Sequence, residues 1–312
     1  PLRRARAELR QSGRVSAVPP GTVSEWLVAH GQRPKLRAWL WDPLAVAALN
    51  QSPEVAAAAP FVRVLAEMFG SDPTAASLVL PLKPLHQMYA EPARDFIWAR
   101  GGDVRVNALA RVVVERGRVR GVEVRGDRID ASRVVLAVPW FALRTVFGQV
   151  APPELAPVIA AGSAMESMPI VTVNLWYDRR VMDEIFVGLP GREMQWVFDK
   201  RLAFGGDASH LSLVSSGAER LTSLPPDELI ALAAGEVADA LPAARLATLR
   251  RGTVVREKQA TFSLAPGQPG RPGPVTDVQG LWLAGDWTDT GLPGTIESAV
   301  LSGHLAADLA QQ

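Results

Sequence analysis

The sequence predicts a mixed α/β chain laid out as two discontinuous units. Three observations carry that expectation. Apolar residues keep a helical period from about residue 22 to residue 99, then switch to alternation just past Gly101-Gly102. The strands and helices that follow do not alternate regularly, which argues against a simple succession of βαβ units. The chain closes on "GLWLAGDWTDTGLPGTIESAVLSGHLA" (280–306), where a short apolar run, a glycine-spaced turn and an apolar-periodic helix form one compressed unit.

The elements follow in chain order. Thr22 and Glu25 make a capping box, and Gly31 stops the helix they open. "PKLRAWLWDPLAVAALN" (34–50) continues helical, with Pro43 as a kink or break. Ser52-Pro53-Glu54 reads as N-cap, N1 proline and acidic first turn of a helix running toward Gly70. Glu91-Pro92 opens another, ending at Gly101-Gly102. "DVRVN" (103–107) is a short strand candidate. "ARVVVERGRVRGVEVRGDRIDASRVVLAVP" (110–139) is a meander turned at Gly117, Gly126 and Ala131-Ser132. Its last run, "RVVLAVP", is continuously apolar, as in a strand buried on both faces, and a helix follows Pro139. "PIVTVNLWYD", "MQWVFD" and "HLSLVSS" are strands, Pro226 opens a helix to about Leu241, and "TVVREKQATF" (253–262) is a strand. "APGQPGRPGPVTD" (265–277) is a loop; the last strand is 281–284, its loop 285–294, and its helix begins near 295.

Composition excludes several functions. Lys+Arg number 33 against 32 Asp+Glu, so no basic footprint for nucleic acid exists. With no cysteine, disulfides, thiolate nucleophiles and cysteine metal sites are absent. That fits a reducing, cytoplasmic setting. The apolar run 134–143 is too short and proline-broken to span a bilayer, and the N-terminus has no signal-peptide core. The four histidines (30, 86, 210, 304) are scattered and read as surface or core residues. Asp286 and Asp289 have no third carboxylate at a metal spacing, so no metal is expected. Neither G-x-S-x-G nor H-E-x-x-H occurs, and G-x-G-x-x-G is also absent.

The closing unit has a chemistry of its own. A strand delivers Gly285-Asp286 to the carboxyl edge of a sheet, where ligands bind in open α/β folds. Asp286 there can accept hydrogen bonds from a sugar-like hydroxyl. Gly291 and Gly294 expose the first-turn N–H groups of the next helix, a site for an anion or electron-rich heteroatom. An ordinary strand-to-helix turn with geometric glycines stays open beside that reading.

"LWLAGDW…TGLPGTIESAVLSG" resembles the C-terminal flavin-binding signature of the amine oxidase/phytoene desaturase superfamily of FAD enzymes. "ARGGDVRVNALARVVVERGRVRGVEV" (99–124) resembles its Gly-Gly strand and meander, and "ASRVVLAVP" (131–139) the strand that rejoins its nucleotide-binding sheet. Within the superfamily, "WDPLAVAALNQSPEVAAA", "REKQATFSLAPGQPGRPGP" and "AGDWTDTGLPGTIESAVLSG" are similar to the squalene-associated FAD-dependent desaturases, the hydroxysqualene dehydroxylases of hopanoid biosynthesis. That resemblance runs from about residue 20 onward. It implies a glutathione-reductase-type, Rossmann-like FAD domain (100–147 and 275–312) with an inserted helix-plus-sheet substrate domain (15–99 and 148–274).

Residue roles follow from the resemblance. Gly285 and Asp286 would lie at the ribityl and pyrophosphate, with the Thr295 and Ile296 N–H groups at the flavin's N1/O2 edge. Glu297 and the loop from Thr288 to Gly291 would flank the ring, and Leu292 and Pro293 would shape its pocket. Glu297 serves equally as a first-turn acid for its own helix. Ala110 stands where the family usually has valine, in the strand near the adenine. Lys258 either polarises a substrate hydroxyl or pairs with an acid on the surface. Trp39, Trp41 and Trp98 either line an apolar tunnel or belong to a core; Asp42 and Asn50 are candidate substrate contacts.

The implied activity is reduction of hydroxysqualene to squalene. Carotenoid desaturation, amine oxidation and non-catalytic binding of an apolar lipid remain alternatives. The partner is an isoprenoid small molecule with an unidentified electron donor, and peripheral contact with the inner membrane face stays open. The family's glycine fingerprint is missing, so a βαβ unit of roughly 30 residues or more is expected ahead of Pro1. Without it, this piece is expected to hold FAD weakly and to be inactive alone.

Overall fold

Helices come first in the computed structural model, which describes residues 2–12, 15, 18–148 and 150–312. They are α1 (Leu2–Ser12), α2 (Val23–Ala29), α3 (Pro34–Leu36), α4 (Asp42–Leu49) and α5 (Ala58–Met68). The capping box forms: Thr22 Oγ1 accepts from Glu25 N (3.2 Å), and Glu25 Oε2 from Thr22 N (2.8 Å). α2, α4 and α5 bury Val23, Leu27, Leu49, Phe61 and Leu65 in one core, and α1 covers Val62 and Ala66 through Ala5.

Of the kink or break expected at Pro43, the break does not occur, and one expected helix start in this region fails. Pro43 does not break the helix, because a π turn over Arg37–Trp41 runs straight into α4. Proline crowds the carbonyl four residues back, and the wider turn before it relieves that conflict. Ser52-Pro53-Glu54 opens no helix. It lies in a turn closed by Val55 N and Ala56 N on Ser52 O. The helix waits until Ala58 because Ala57 N is held by Leu264 O and Ala58 N by Gly21 O. These tertiary bonds override the local start signal.

Short α6 (Leu85–Met88) leads to α7 (Ala90–Trp98), where Glu91-Pro92 places it. The "DVRVN" strand does not form: residues 103–107 are irregular, with Asn107 at φ 53°. Among the described residues no strand pairs with them, and Val106 is 76% exposed. Strands β1 (Ala110–Glu115), β2 (Arg118–Val124) and β3 (Asp127–Asp130) then make an antiparallel meander. Its turns place Gly117 at φ 71° and Gly126 at φ 91°, the left-handed backbone that glycine supplies.

β4 (Val134–Leu136) leaves the meander at Ala131-Ser132. After it, the segment past Pro139 forms turns at Trp140–Ala142 and Thr145–Phe147 in place of the expected helix. Thr145 Oγ1 donates to Ala142 O (2.7 Å), a side-chain bond that competes with the helical ladder. α8 (Ala156–Ala164) follows.

Strands β5 (Ser167–Tyr177), β6 (Phe186–Gly188), β7 (Trp196–Asp199), β8 (His210–Ser216) and β9 (Leu249–Phe262) build a five-stranded sheet of order β6-β7-β8-β5-β9. Short α9 (Arg201–Phe204) lies between β7 and β8. α10 (Pro226–Ala240) packs Leu229, Ala233 and Val237 on the face carrying Val171, Val173, Leu175, Leu211 and Leu213. β6 was not foreseen, being only three residues long.

The chain ends in β10 (Leu281–Leu283) and α11 (Ile296–Gln311). β10 pairs parallel with β4, in register Leu281–Val134, Trp282–Val135 and Leu283–Leu136. The expectation of a strand buried on both faces is not met in β4, where Val135 is 41% exposed. Among the described residues no further strand pairs with β4. Val112, Val119, Leu136, Trp140, Phe147, Phe262, Leu281, Leu283 and Trp287 share a core, so β1, β2, β4, β9 and β10 meet around the closing loop.

Candidate functional site

The closing loop leaves β10 where Ala284 N donates to Leu136 O (3.0 Å), so it turns at the carboxyl ends of both parallel strands. Gly285 has φ 131°, and a Cβ there would lie 2.8 Å from Cδ1 and Nε1 of Trp287. Trp287 is fully buried, and its Nε1 donates to Val138 O (2.8 Å), fastening the turn to the end of β4. Gly285 N donates to Ser302 Oγ (2.7 Å) on α11.

The loop then folds back on the start of α11. Ser298 Oγ donates to Asp286 O (3.1 Å) and meets Thr290 Oγ1 at 2.6 Å. Thr295 is the N-cap, its hydroxyl accepting from Ser298 N (3.2 Å). Ser298 and Ser302 are buried and spent on these bonds. The N–H groups of Ile296 and Glu297 find no acceptor among the described residues. They face outward at the positive end of the helix dipole.

Asp286, Gly294 and the end of β9 come together beside this helix start. A Cβ on Gly294 would sit 3.2 Å from Asp286 Oδ2, 3.2 Å from Phe262 Cε1 and 3.5 Å from Thr261 Cβ. Glycine therefore keeps the backbone open between a carboxylate and an aromatic wall. Burial pushes the Asp286 carboxyl above its ordinary range, with Arg271 pulling the other way. Together, free N–H donors, a carboxylate acceptor and an apolar wall fit an extended ligand bearing hydroxyls beside an electron-rich edge.

Arg271 is the residue that sequence reasoning missed. It donates to Leu292 O (2.7 Å) and Asp286 O (3.4 Å), approaches Asp289 at 3.9 Å, and lies over the Phe262 ring (5.2 Å to the centroid). One arginine thus braces both sides of the loop. Its signal was being the lone charge in "APGQPGRPGP". Gly291 lies at φ 76° within the loop, Leu292 is half-buried and Pro293 is buried.

Other candidates fall elsewhere. Glu297 is exposed on the first turn of α11. Ala110 is exposed at the start of β1, opposite Val124, with no hydrogen bond to the closing loop among the described residues. Lys258 is exposed where β9 bulges against β5, three positions before Thr261, and pairs with no acid among the described residues. The three tryptophans are not brought into one tunnel. Trp41 lines a cavity of 230 Å³ with Trp26 and donates to Gln32, Trp39 lines a separate groove, and Trp98 lies 51% exposed on α7.

Asn50 has a different role from a free substrate contact. It is 4% exposed, in left-handed conformation at φ 53°. Its Nδ2 donates to Met168 O (3.1 Å) and Thr261 Oγ1 (2.9 Å), and its Oδ1 accepts from Gly217 N (2.8 Å). Gln51 adds bonds to Ser263 Oγ (3.0 Å) and Leu264 N. This pair ties the helices to the strand end that walls the loop.

A sheet edge, a glycine turn and an open helix start in this arrangement define a nucleotide-cofactor-binding fold. The chain belongs to the flavin-containing amine oxidoreductase family, whose sequence model matches residues 57–310 and whose cofactor is FAD. It is 33% identical over 273 residues to a hydroxysqualene dehydroxylase from Rhodopseudomonas palustris, covering 86% of this chain and 60% of that protein. A 15-cis-phytoene desaturase from Synechococcus elongatus is 24% identical over 235 residues, covering 70% of this chain and 49% of that protein. The chain thus spans about 60% of the length of the dehydroxylase it matches. An oxidoreductase from Methanosarcina mazei superposes with a TM-score of 0.70 at 16% identity, covering 100% of this chain and 72% of that one, a likeness of fold.

Proposed function

We propose that this protein is an FAD-dependent oxidoreductase acting on a long-chain isoprenoid, and that its reaction reduces hydroxysqualene to squalene. The observation that carries the cofactor reading is the pair of free N–H groups, Ile296 and Glu297, beside Gly294 and Asp286. The substrate reading rests on the 33% identity to a hydroxysqualene dehydroxylase. In this reading residues 100–147 and 275–312 hold FAD, and residues 15–99 and 148–274 hold substrate.

The chemistry balances as follows. The substrate's carbon–oxygen bond breaks with its electron pair going to oxygen, which takes a proton and leaves as water. Reduced FAD, when bound, would supply the hydride that replaces the lost hydroxyl on carbon. The protein contributes binding and environment. Ile296 and Glu297 N–H groups would donate to the electron-rich edge of the ring, where negative charge is favoured by the helix end. Asp286 would accept from ribityl hydroxyls, and Phe262 and Leu292 would exclude water from a cation-like carbon. Lys258 is retained as the candidate for polarising the leaving hydroxyl, and Ala110 as the adenine-side backbone contact. Among the described residues no helix is long and apolar enough to cross a membrane.

The test is incubation of the full-length protein, with the coding sequence upstream of Pro1 restored, with chemically reduced FAD and, in parallel, hydroxysqualene, phytoene and a polyamine. Squalene is the expected product. Oxidation of phytoene or polyamine without squalene would replace the proposed reaction with desaturation or amine oxidation. No turnover of any of the three would favour a lipid-binding role.

A further inference from the structure

A groove of 510 Å³ lies between the π turn and α4 on one side and the β6–β7 hairpin on the other. Trp39, Pro43, Val46, Leu189 and Trp196 line it. The volume falls within the usual range for small-molecule sites. Trp39 is 68% exposed, whereas Trp287 and Trp140 are buried. An indole left this open beside a second one marks a surface that gains by being covered.

The polar groups at the groove are already engaged. Asp42 accepts from Arg37 Nε (3.4 Å). The Gln195 amide is closed on the Ser216 backbone at both ends, donating to Ser216 O (2.9 Å) and accepting from Ser216 N (2.9 Å). What faces an occupant is mostly carbon, with the Asp42 carboxylate partly exposed beside it, and the chemistry favours a hydrocarbon chain over an anionic ligand.

The groove is linked to the closing loop by one short helix. Asp42, Pro43 and Val46 sit in its wall, and the same helix ends at Asn50, which bonds Thr261 Oγ1 beside Gly294. Eight residues of α4 separate the two ends, about 12 Å at the helical rise. A ligand reaching from the Gly294 region into the groove must be long, apolar and flexible.

We propose that the Trp39–Trp196 groove holds the distal prenyl tail of the substrate and sets a preference for long chains. This rests on the isoprenoid reading of the function, but not on any reaction. Trp39 and Val46 are specificity residues, remote from the reacting carbon. Shortening Trp39 removes one wall of the groove, and enlarging Val46 fills it.

Two dansyl-labelled prenyl alcohols, one of four isoprene units and one of two, would be titrated into wild type, Trp39→Ala and Val46→Phe, and followed by dansyl anisotropy. The proposal expects the longer probe to bind wild type more tightly. Both substitutions should weaken the longer probe by roughly fivefold to tenfold, one side chain's worth of apolar contact. The shorter probe should bind all three proteins alike, and FAD affinity should stay at the wild-type level. Equal affinity of the three proteins for the longer probe would overturn the proposal, and so would equal losses for both probes. Should hydroxysqualene give no squalene while the chain-length effect holds, the reaction assignment falls and the groove assignment stands.

Discussion

Replacing Gly285 with alanine places a methyl group 2.8 Å from Cδ1 and Nε1 of Trp287. Two separate costs arise. The backbone sits at φ 131°, a conformation that costs a residue with a Cβ about 1–3 kcal/mol. Trp287 is fully buried and hydrogen-bonded to Val138 O, so it cannot swing into solvent to make room. Overpacking at such a site adds about 1–3 kcal/mol. A total near 3 kcal/mol, at roughly 2 °C per kcal/mol for a chain of this size, lowers the melting temperature by about 6 °C. Gly303→Ala is the internal control, because nothing lies within 4 Å of its added Cβ. It sits inside α11, where alanine over glycine gains about 0.5–1 kcal/mol. Differential scanning calorimetry of the two variants should therefore move them in opposite directions. If Gly285→Ala melted with the wild type, the described packing of the turn would be wrong.

Three more outcomes follow from the same geometry. Asn50→Ala leaves Gly217 N–H unpaired, removes the bonds to Met168 O and Thr261 Oγ1, and keeps a left-handed backbone, so urea unfolding should give a loss of roughly 3 kcal/mol; Asn50→Gly, free of the backbone strain, should lose about 1 kcal/mol less. His210 stacks on Trp176 at 4.2 Å with its Nε2 buried and unpaired, and burial, then Lys200, hold its pKa below the ordinary value against a smaller opposing pull from Asp199. Its contribution to stability is complete above pH about 6.5 and is lost as pH falls below that value, so His210→Phe should flatten acid unfolding and leave stability above pH about 7 nearly parallel to wild type. For Asp286, whose carboxyl is displaced upward, ionisation costs the folded state more than the unfolded one; Asp286→Asn should gain stability relative to wild type as pH rises through that displaced value, and a pH-independent difference in urea midpoints would contradict it.

Local signals were legible in the sequence wherever the physics was local. The Thr22–Glu25 box, the glycine turns of the meander and the Pro226 helix start each depend on a few adjacent residues. Contacts distant in sequence were not legible. Ser52-Pro53-Glu54 carries a sound helix start, yet Leu264 and Gly21 hold the backbone at 57 and 58 and move the start to Ala58. "DVRVN" alternates as a strand should, but alternation supplies no partner. The site shows the same division. The loop from Gly285 to Thr295 announced itself through its glycine spacing. Arg271, Thr261 and Phe262 reach it only because β9 and the Pro/Gly loop fold against it. Asn50 looked like a free polar group flanking an apolar run, while its three hydrogen bonds span 118, 211 and 167 positions of sequence.

The central claim is that the start of α11 receives the flavin through its own backbone. Ile296→Pro isolates that claim. Proline is well accommodated at the first helical position, Thr295 before it is already extended at φ −134° and ψ 162°, and the lost side chain is 51% exposed. The substitution removes one N–H donor and little else. FAD titration of wild type and Ile296→Pro, followed by flavin fluorescence, should show affinity weakened by about tenfold, the loss of one hydrogen bond of about 1.4 kcal/mol, with an unchanged melting temperature in the absence of flavin. Equal FAD affinities at equal stability would contradict the account.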